Sequence, residues 1–301
     1  MSAAPLFVLA APYSGTTWLV ARLGMHPELC ALPELNLFMA DRVGELLEIA
    51  ALDRGPQLDG LLRAVAELEF REQSDRSIEA ARIWLQDRAD QTTAELFDAL
   101  VALATPRRLV IPDAGSPMRP MDLRRLIRAC PQAALLHLVR HPWTQGCLLA
   151  AACEERLFVP PDYKDYAQRP PQLDPQIPWL RANRNIDALL RAPATHWRRL
   201  RFEDFDADAN AHLLDLCTWL ELDAGGESMA AMAQPQCWCF AGFGPRSAPY
   251  GLETEALEPP PDAVRALADA PRLDQPLPWR GDGLGFADET RRLAAELGYP
   301  T

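Results

Sequence analysis

Residues 5–18 read PLFVLAAPYSGTTW, and the fold follows from how this stretch changes character along its length. Leu6, Phe7, Val8, Leu9 and Ala10 form a continuous apolar run, the pattern of a strand buried on both faces of a parallel sheet. The run breaks at Pro12, Tyr13, Ser14 and Gly15. Helical spacing then begins, with Leu19 and Leu23 four apart on one face. Strand, small-residue turn and helix together present the unpaired N–H groups and positive dipole end of the helix to an anion. Ser14, Thr16 and Thr17 add hydroxyl donors beside those amides. The stretch suits phosphate, yet it is not a Walker A loop: no Lys follows Gly15, and no earlier Gly stands at the required spacing.

A chain of 301 residues can bury one large core, and residues 1–301 are expected to form a single domain. The net charge of −12 argues against a broad nucleic-acid surface and against attraction to anionic lipid. An anionic ligand must therefore be held by a local cluster of donors. The seven cysteines are scattered; Cys237 and Cys239 form C-x-C with no second pair nearby. Buried free thiols in a reducing cytosol are the expectation, and no metal site. The first apolar run is too short for a signal peptide or a membrane span, which points to a cytoplasmic protein.

Further along, residues 29–32 read as a second short strand ending at Pro33-Glu34. Residues 35–104 read as successive helices, an insertion expected to lie over the strand ends and supply an acceptor pocket. Breaks at 54–56 and 91–92 divide it. Residues 108–111 and 133–139 are the third and fourth strands, and 197–202 the fifth. A helix running to about Glu155 follows the fourth. Residues 160–178, rich in Pro, read as a loop or lid. A helix over 206–220 with Asp206 as N-cap follows the fifth strand. From 224 to 285 the chain is irregular, and a helix over 288–297 closes it. The alternation calls for an α/β fold, a central parallel sheet flanked by helices.

Arg140, in Leu138-Val139-Arg140-His141-Pro142, stands at the end of the most apolar strand. A guanidinium there either grips an anion in the crevice beyond the strands or caps the strand end through a carboxylate. Ser14-Gly15-Thr16-Thr17-Trp18 resembles the phosphosulfate-binding loop of PAPS-dependent sulfotransferases, where a Lys or Arg comes before Ser-Gly-Thr. The following His26-Pro27-Glu28-Leu29 is similar to bacterial and tyrosylprotein members. Arg140 sits where the family's 3′-phosphate motif begins, and residues 200–222 and 279–299 resemble its later segments. Two positions depart. Tyr13 replaces the loop Lys or Arg, and Leu148 stands where the family has a Ser.

The resemblance implies a P-loop-like sulfotransferase fold and transfer of a sulfuryl group from PAPS to a hydroxyl or amine, with PAP as product. It implies that Ser14, Gly15, Thr16, Thr17, Trp18 and Arg140 hold the co-substrate. The acceptor would be a small metabolite or peptide, with no nucleic acid and no membrane as partner. Glu34 stands where related enzymes carry a catalytic Glu; it reads equally as an acid at a helix N-terminus. His26 and His141 are alternative bases. Tyr13 can offer one neutral hydrogen bond in place of the missing charge, and Arg119 or Arg246 could reach in from elsewhere, while Arg280, beside Gly281, Gly283 and Gly285, is a candidate for 3′-phosphate contact. The rival reading is a catalytically impaired sulfotransferase-like binding or scaffold protein. A P-loop phosphotransferase is disfavoured by the missing Walker Lys and Mg²⁺ carboxylate.

Overall fold

The computed structural model describes residues 4–53, 56–154, 159–191 and 196–299. Strand β1 (Leu6–Ala10) is completely buried, as its unbroken apolar run requires. It is followed by α1 (Thr16–Leu23) and the short β2 (Leu29–Ala31). Four helices then intervene: α2 (Val43–Asp53), α3 (Asp59–Phe70), α4 (Asp75–Gln86) and α5 (Thr93–Ala104). Next come β3 (Arg108–Asp113), α6 (Pro120–Ala129), β4 (Ala134–Val139) and α7 (Pro142–Glu154). A two-stranded hairpin, β5 (Lys164–Asp165) and β6 (Gln172–Leu173), leads to α8 (Gln176–Leu190) and β7 (Trp197–Arg201). The chain ends through α9 (Phe202–Ala207), α10 (Ala209–Leu220), α11 (Gly226–Met232), α12 (Thr254–Leu257), α13 (Asp262–Ala268) and α14 (Asp288–Glu296).

The main sheet has the order β2-β3-β1-β4-β7, every pair parallel. Strand β1 lies at its centre, with Leu6 beside Val110 on one side and Ala134 on the other. From β1 the chain first fills one side of the sheet and then crosses to the other. The order therefore reverses between β1 and β4, and a crevice opens beyond their carboxyl ends. The turn at residues 11–15 and Arg140 both emerge there. Helices α1 and α5 pack on β3, and α8 on β1. Among the described residues no helix is long and apolar enough to cross a membrane.

Several boundaries depart from expectation. The helix expected to start at Asp206 is two helices, because Asp208 leaves helical geometry and caps α10 with its own carboxylate on the Ala211 amide, 3.0 Å away. The Pro-rich stretch after α7 is not one loop but carries the β5–β6 hairpin and the start of α8. Strand β3 runs on to Asp113, which carries a buried carboxylate to the crevice. The break at 91–92 is a capping box, Thr92 with Glu95, which starts α5. Arg54 and Gly55, in the other break, and Glu155, the expected end of α7, lie outside the described residues. Five cysteines are buried as expected, but Cys237 and Cys239 are exposed.

One polar residue interrupts the apolar run of β4. His137 is completely buried, and burial lowers its pKa to about 3, so it is neutral. Arg199 Nε donates to its Nδ1 at 3.2 Å, which leaves Nε2–H to donate to Asn183 Oδ1 at 2.8 Å. The His137–Asn183 bond ties α8 to the sheet, and Asn183 in turn donates to the Trp179 carbonyl one turn back in the same helix. Asn183→Ala strands the buried imidazole N–H and should cost about 1–3 kcal/mol of stability, read as a lower urea midpoint at unchanged slope.

Candidate functional site

The turn between β1 and α1 is held by constraints that other residues could not meet. Gly15, the N-cap of α1, has φ +84°, and a Cβ there would lie 2.3 Å from the Phe202 ring. Tyr13 also takes a left-handed conformation, φ 64°, which is costly for a bulky residue. Gln145 of α7 donates from Nε2 to the Pro12 carbonyl at 2.7 Å and fixes the turn from beneath. Ser14 is fully buried and its Oγ has no partner among the described residues. Gln145 Oε1 and Arg140 Nε are likewise buried without partners. Buried polar atoms are nearly always satisfied, so their concentration at one turn makes it a candidate ligand site.

Arg140 reaches this turn from the end of β4. Its Nη1 donates to the Tyr13 carbonyl at 3.2 Å, and its guanidinium lies 4.3 Å above the Phe202 ring. Of the two readings of this Arg, the structure shows the capping of a carboxylate. Glu255 Oε1 accepts from Arg140 Nη1 at 2.8 Å and from Trp18 Nε1 at 3.2 Å. Its neighbour Glu253 accepts from the Thr17 amide at 3.4 Å, while the Glu253 amide donates to Thr17 Oγ1 at 3.0 Å. Thr254 Oγ1 lies 2.9 Å from the Tyr13 hydroxyl. Three successive residues thus contact the turn, its helix and Arg140.

Glu34 follows β2 in the same crevice. Its Oε1 accepts from the amides of Ala114 and Gly115 at 2.8 and 3.0 Å, while Oε2 meets no donor among the described residues. Burial raises its pKa, opposed by those two amides. The carboxyl is thus anchored by one oxygen with the other open, as a base must be. It does not cap a helix: the segment after it is a short turn at Leu37–Met39, and α2 starts only at Val43. Asp113 accepts from the Ser116 amide at 2.7 Å and is raised to about 7, first by burial and then by the charge of Glu34. Glu253 is raised too, by burial and then by Glu255, against the pull of Arg140.

The other candidates are structural. His26 spans the Glu28 amide and the Asp223 carbonyl. His141 Nδ1 accepts from the Trp143 amide, and burial lowers its pKa to about 4. Its own amide is capped by Glu203, which also accepts from the Tyr299 hydroxyl. Arg280 is locked onto Asp174 and Asp282, and Arg119 pairs with Asp162. Arg246 belongs to the surroundings of Asp75, on α4. Leu148 is packed in a second apolar cluster with Trp143 and Tyr13, and Thr144 donates to the Ala268 carbonyl at 2.8 Å. None of these restores the charge that Tyr13 lacks.

Sequence reading missed Gln145, Glu253 and Glu255. A lone amide in the apolar run of α7 could have signalled Gln145. Nothing local signals the two glutamates, which lie more than two hundred residues from the turn they meet.

A family model described as the sulfotransferase family matches residues 5–225. Among solved structures, the sulfotransferase domain from the curacin biosynthetic pathway is similar with 22% identity and a TM-score of 0.70 over 99% of this chain and 98% of that one. The sulfotransferase domain from the Synechococcus PCC 7002 olefin synthase gives 22% identity and a TM-score of 0.69 over 100% and 97%. These two likenesses speak for the fold. No curated protein matches the sequence.

The raised carboxyls set the sign of a pH effect on stability. The native chain holds protons at Asp113 that the unfolded chain, with a carboxyl near its ordinary value of 3.8, releases. Stability from this group is therefore fully present below about pH 4. It declines toward pH 7, by up to about 1.4 kcal/mol per pH unit. Asp113→Asn should flatten the fall of the urea midpoint between pH 5 and 7 relative to wild type.

Proposed function

The chain belongs to the sulfotransferase family, and on that premise we propose that it moves a sulfuryl group from PAPS to a hydroxyl or amine of a small metabolite or peptide. The observation that carries this reading is that Trp18 Nε1 and Arg140 already hold an oxyanion, the Glu255 carboxylate, beside the first-turn amide of α1, which holds the carboxyl of Glu253. Donors that bind a carboxylate this way bind a phosphate or sulfate by the same physics. Ser14 Oγ and Arg140 Nε, buried and unpartnered, are further donors that a phosphate would satisfy.

The reaction asks for three things, and each has a residue. As the acceptor oxygen or nitrogen bonds to sulfur, its proton passes to the open Oε2 of Glu34, which burial makes a stronger proton acceptor than an ordinary carboxylate. The bond from sulfur to the bridging oxygen breaks, and its electron pair stays on the departing phosphate. The helix end, Ser14 and Arg140 stabilise that charge. The Tyr13 hydroxyl supplies a neutral donor where the family has a cation, which predicts a slow enzyme rather than a dead one. The acceptor would approach across the helical insertion that follows Glu34.

Calorimetric titration with PAP tests the site. Micromolar binding that is lost in Arg140→Ala is the expected result. No binding at millimolar PAP would overturn it and favour a binding or scaffold protein. Once an acceptor is found, Glu34→Gln should lower kcat by about a hundredfold or more while PAP affinity stays within about twofold.

A further inference from the structure

We propose that residues 252–257 are an internal competitor: Glu253 and Glu255 occupy the anion site of α1 and Arg140, and the nucleotide binds only as this segment leaves. The proposal rests on the PAPS reading of the site.

Glu253 takes the Thr17 amide, Thr254 the Tyr13 hydroxyl, and Glu255 both Arg140 and Trp18. Those partners lie on the turn, the first turn of α1 and the end of β4, the groups a phosphosulfate would need. The contacts are mostly polar ligation, with Leu252 packed at the margin of the main core. Leu252 and Leu257 are only partly buried, and α12 is a single turn.

The satisfaction of the site is also incomplete. Among the described residues Glu253 Oε1 and Glu255 Oε2 are buried without a partner, as are Ser14 Oγ and Arg140 Nε on the facing side. A carboxylate has two oxygens and a flat fork, whereas phosphate and sulfate present three in a tetrahedral array. Two carboxylates therefore cover the strongest donors and leave others unmet. Each unmet buried group is destabilising, which keeps the closed arrangement easy to displace.

Electrostatics makes the two occupants exclusive. Arg140 already faces Glu253 and Glu255, with Glu34 and Asp113 behind them. A nucleotide carrying several negative charges could not enter while Glu255 holds Arg140 and Glu253, its carboxyl pushed up to about 8 by the same crowding, holds the Thr17 amide, since one set of donors cannot serve both occupants and the Glu255 charge repels an anion.

The flanks allow motion about fixed points. Upstream, the buried Arg63 of α3 donates to the carbonyls of Phe240, Gly242 and Tyr250 and pins that stretch to the insertion. Immediately after it comes Gly251, with φ +105° and its carbonyl on the Glu34 amide. Downstream stand Pro259, Pro260 and Pro261, before α13 packs on α7. The segment is thus a short strap between two anchored ends, with a glycine hinge beside the proposed base.

The test is calorimetric titration of PAP into the full chain as wild type and as the Glu253→Gln/Glu255→Gln double variant. Hydrogen exchange of residues 252–258 is followed with and without PAP, and thermal unfolding confirms that both proteins are folded. The proposal expects the double variant to bind PAP at least tenfold more tightly, and PAP to speed amide exchange in 252–258 of the wild type. Equal or weaker binding by the double variant, or slower exchange in that segment when PAP binds, overturns the strap and leaves the PAPS site standing. Failure of PAP to bind either protein overturns the PAPS reading, and the strap with it.

Discussion

The first turn of α1 carries amide groups that its own helix cannot satisfy, and the sheet aims them at the crevice between β1 and β4. This one constraint organises what surrounds it. Burial of β1 on both faces leaves the chain no route out except the tight turn at residues 11–15, where Gly15 and Tyr13 take left-handed conformations. The turn is fixed by Gln145 from α7 and by Arg140 from β4, two elements that fold to the other side of the sheet. The positive end of α1 is thus locked in place before any ligand arrives, as electrostatic catalysis requires.

The charge around that helix end is unusual for an anion site. One guanidinium faces the carboxyls of Glu253 and Glu255, and Glu34 and Asp113 lie close enough to perturb their surroundings. The loop position that would carry a cation carries Tyr13, and its hydroxyl is engaged with Thr254. Part of the answer is protonation, because burial and crowding push Asp113 and Glu253 upward. The chain thus balances the helix end with its own acids. The site thus gains its neutrality internally, and on the proposed reading a nucleotide would have to displace that arrangement.

The fold was legible because its signals are local. The apolar run of residues 6–10, the small-residue turn and the helical spacing after it needed no distant partner to be read, and Arg140 at a strand end carried its own meaning. Glu34 was legible as a carboxyl in the crevice. What decided it against a helix cap was the amides of Ala114 and Gly115, eighty residues away, which no periodicity shows. Glu253 and Glu255 were not legible at all. Their stretch has little periodicity, and its path depends on Arg63 holding three backbone carbonyls, a tertiary contact between residues about 180 positions apart. The boundary between α9 and α10 failed for a smaller reason: two aspartates were available as caps, and only the backbone conformation chose Asp208 over Asp206.

The central claim is that the turn, α1 and Arg140 form one site for the phosphate end of a nucleotide. A crystal structure of the chain with PAP tests it most directly. The account predicts phosphate oxygens within hydrogen-bond distance of Ser14 Oγ, the Thr17 amide and Arg140, with Glu253 and Glu255 withdrawn from them. A nucleotide bound elsewhere, or bound here with both glutamates still in place, would contradict it.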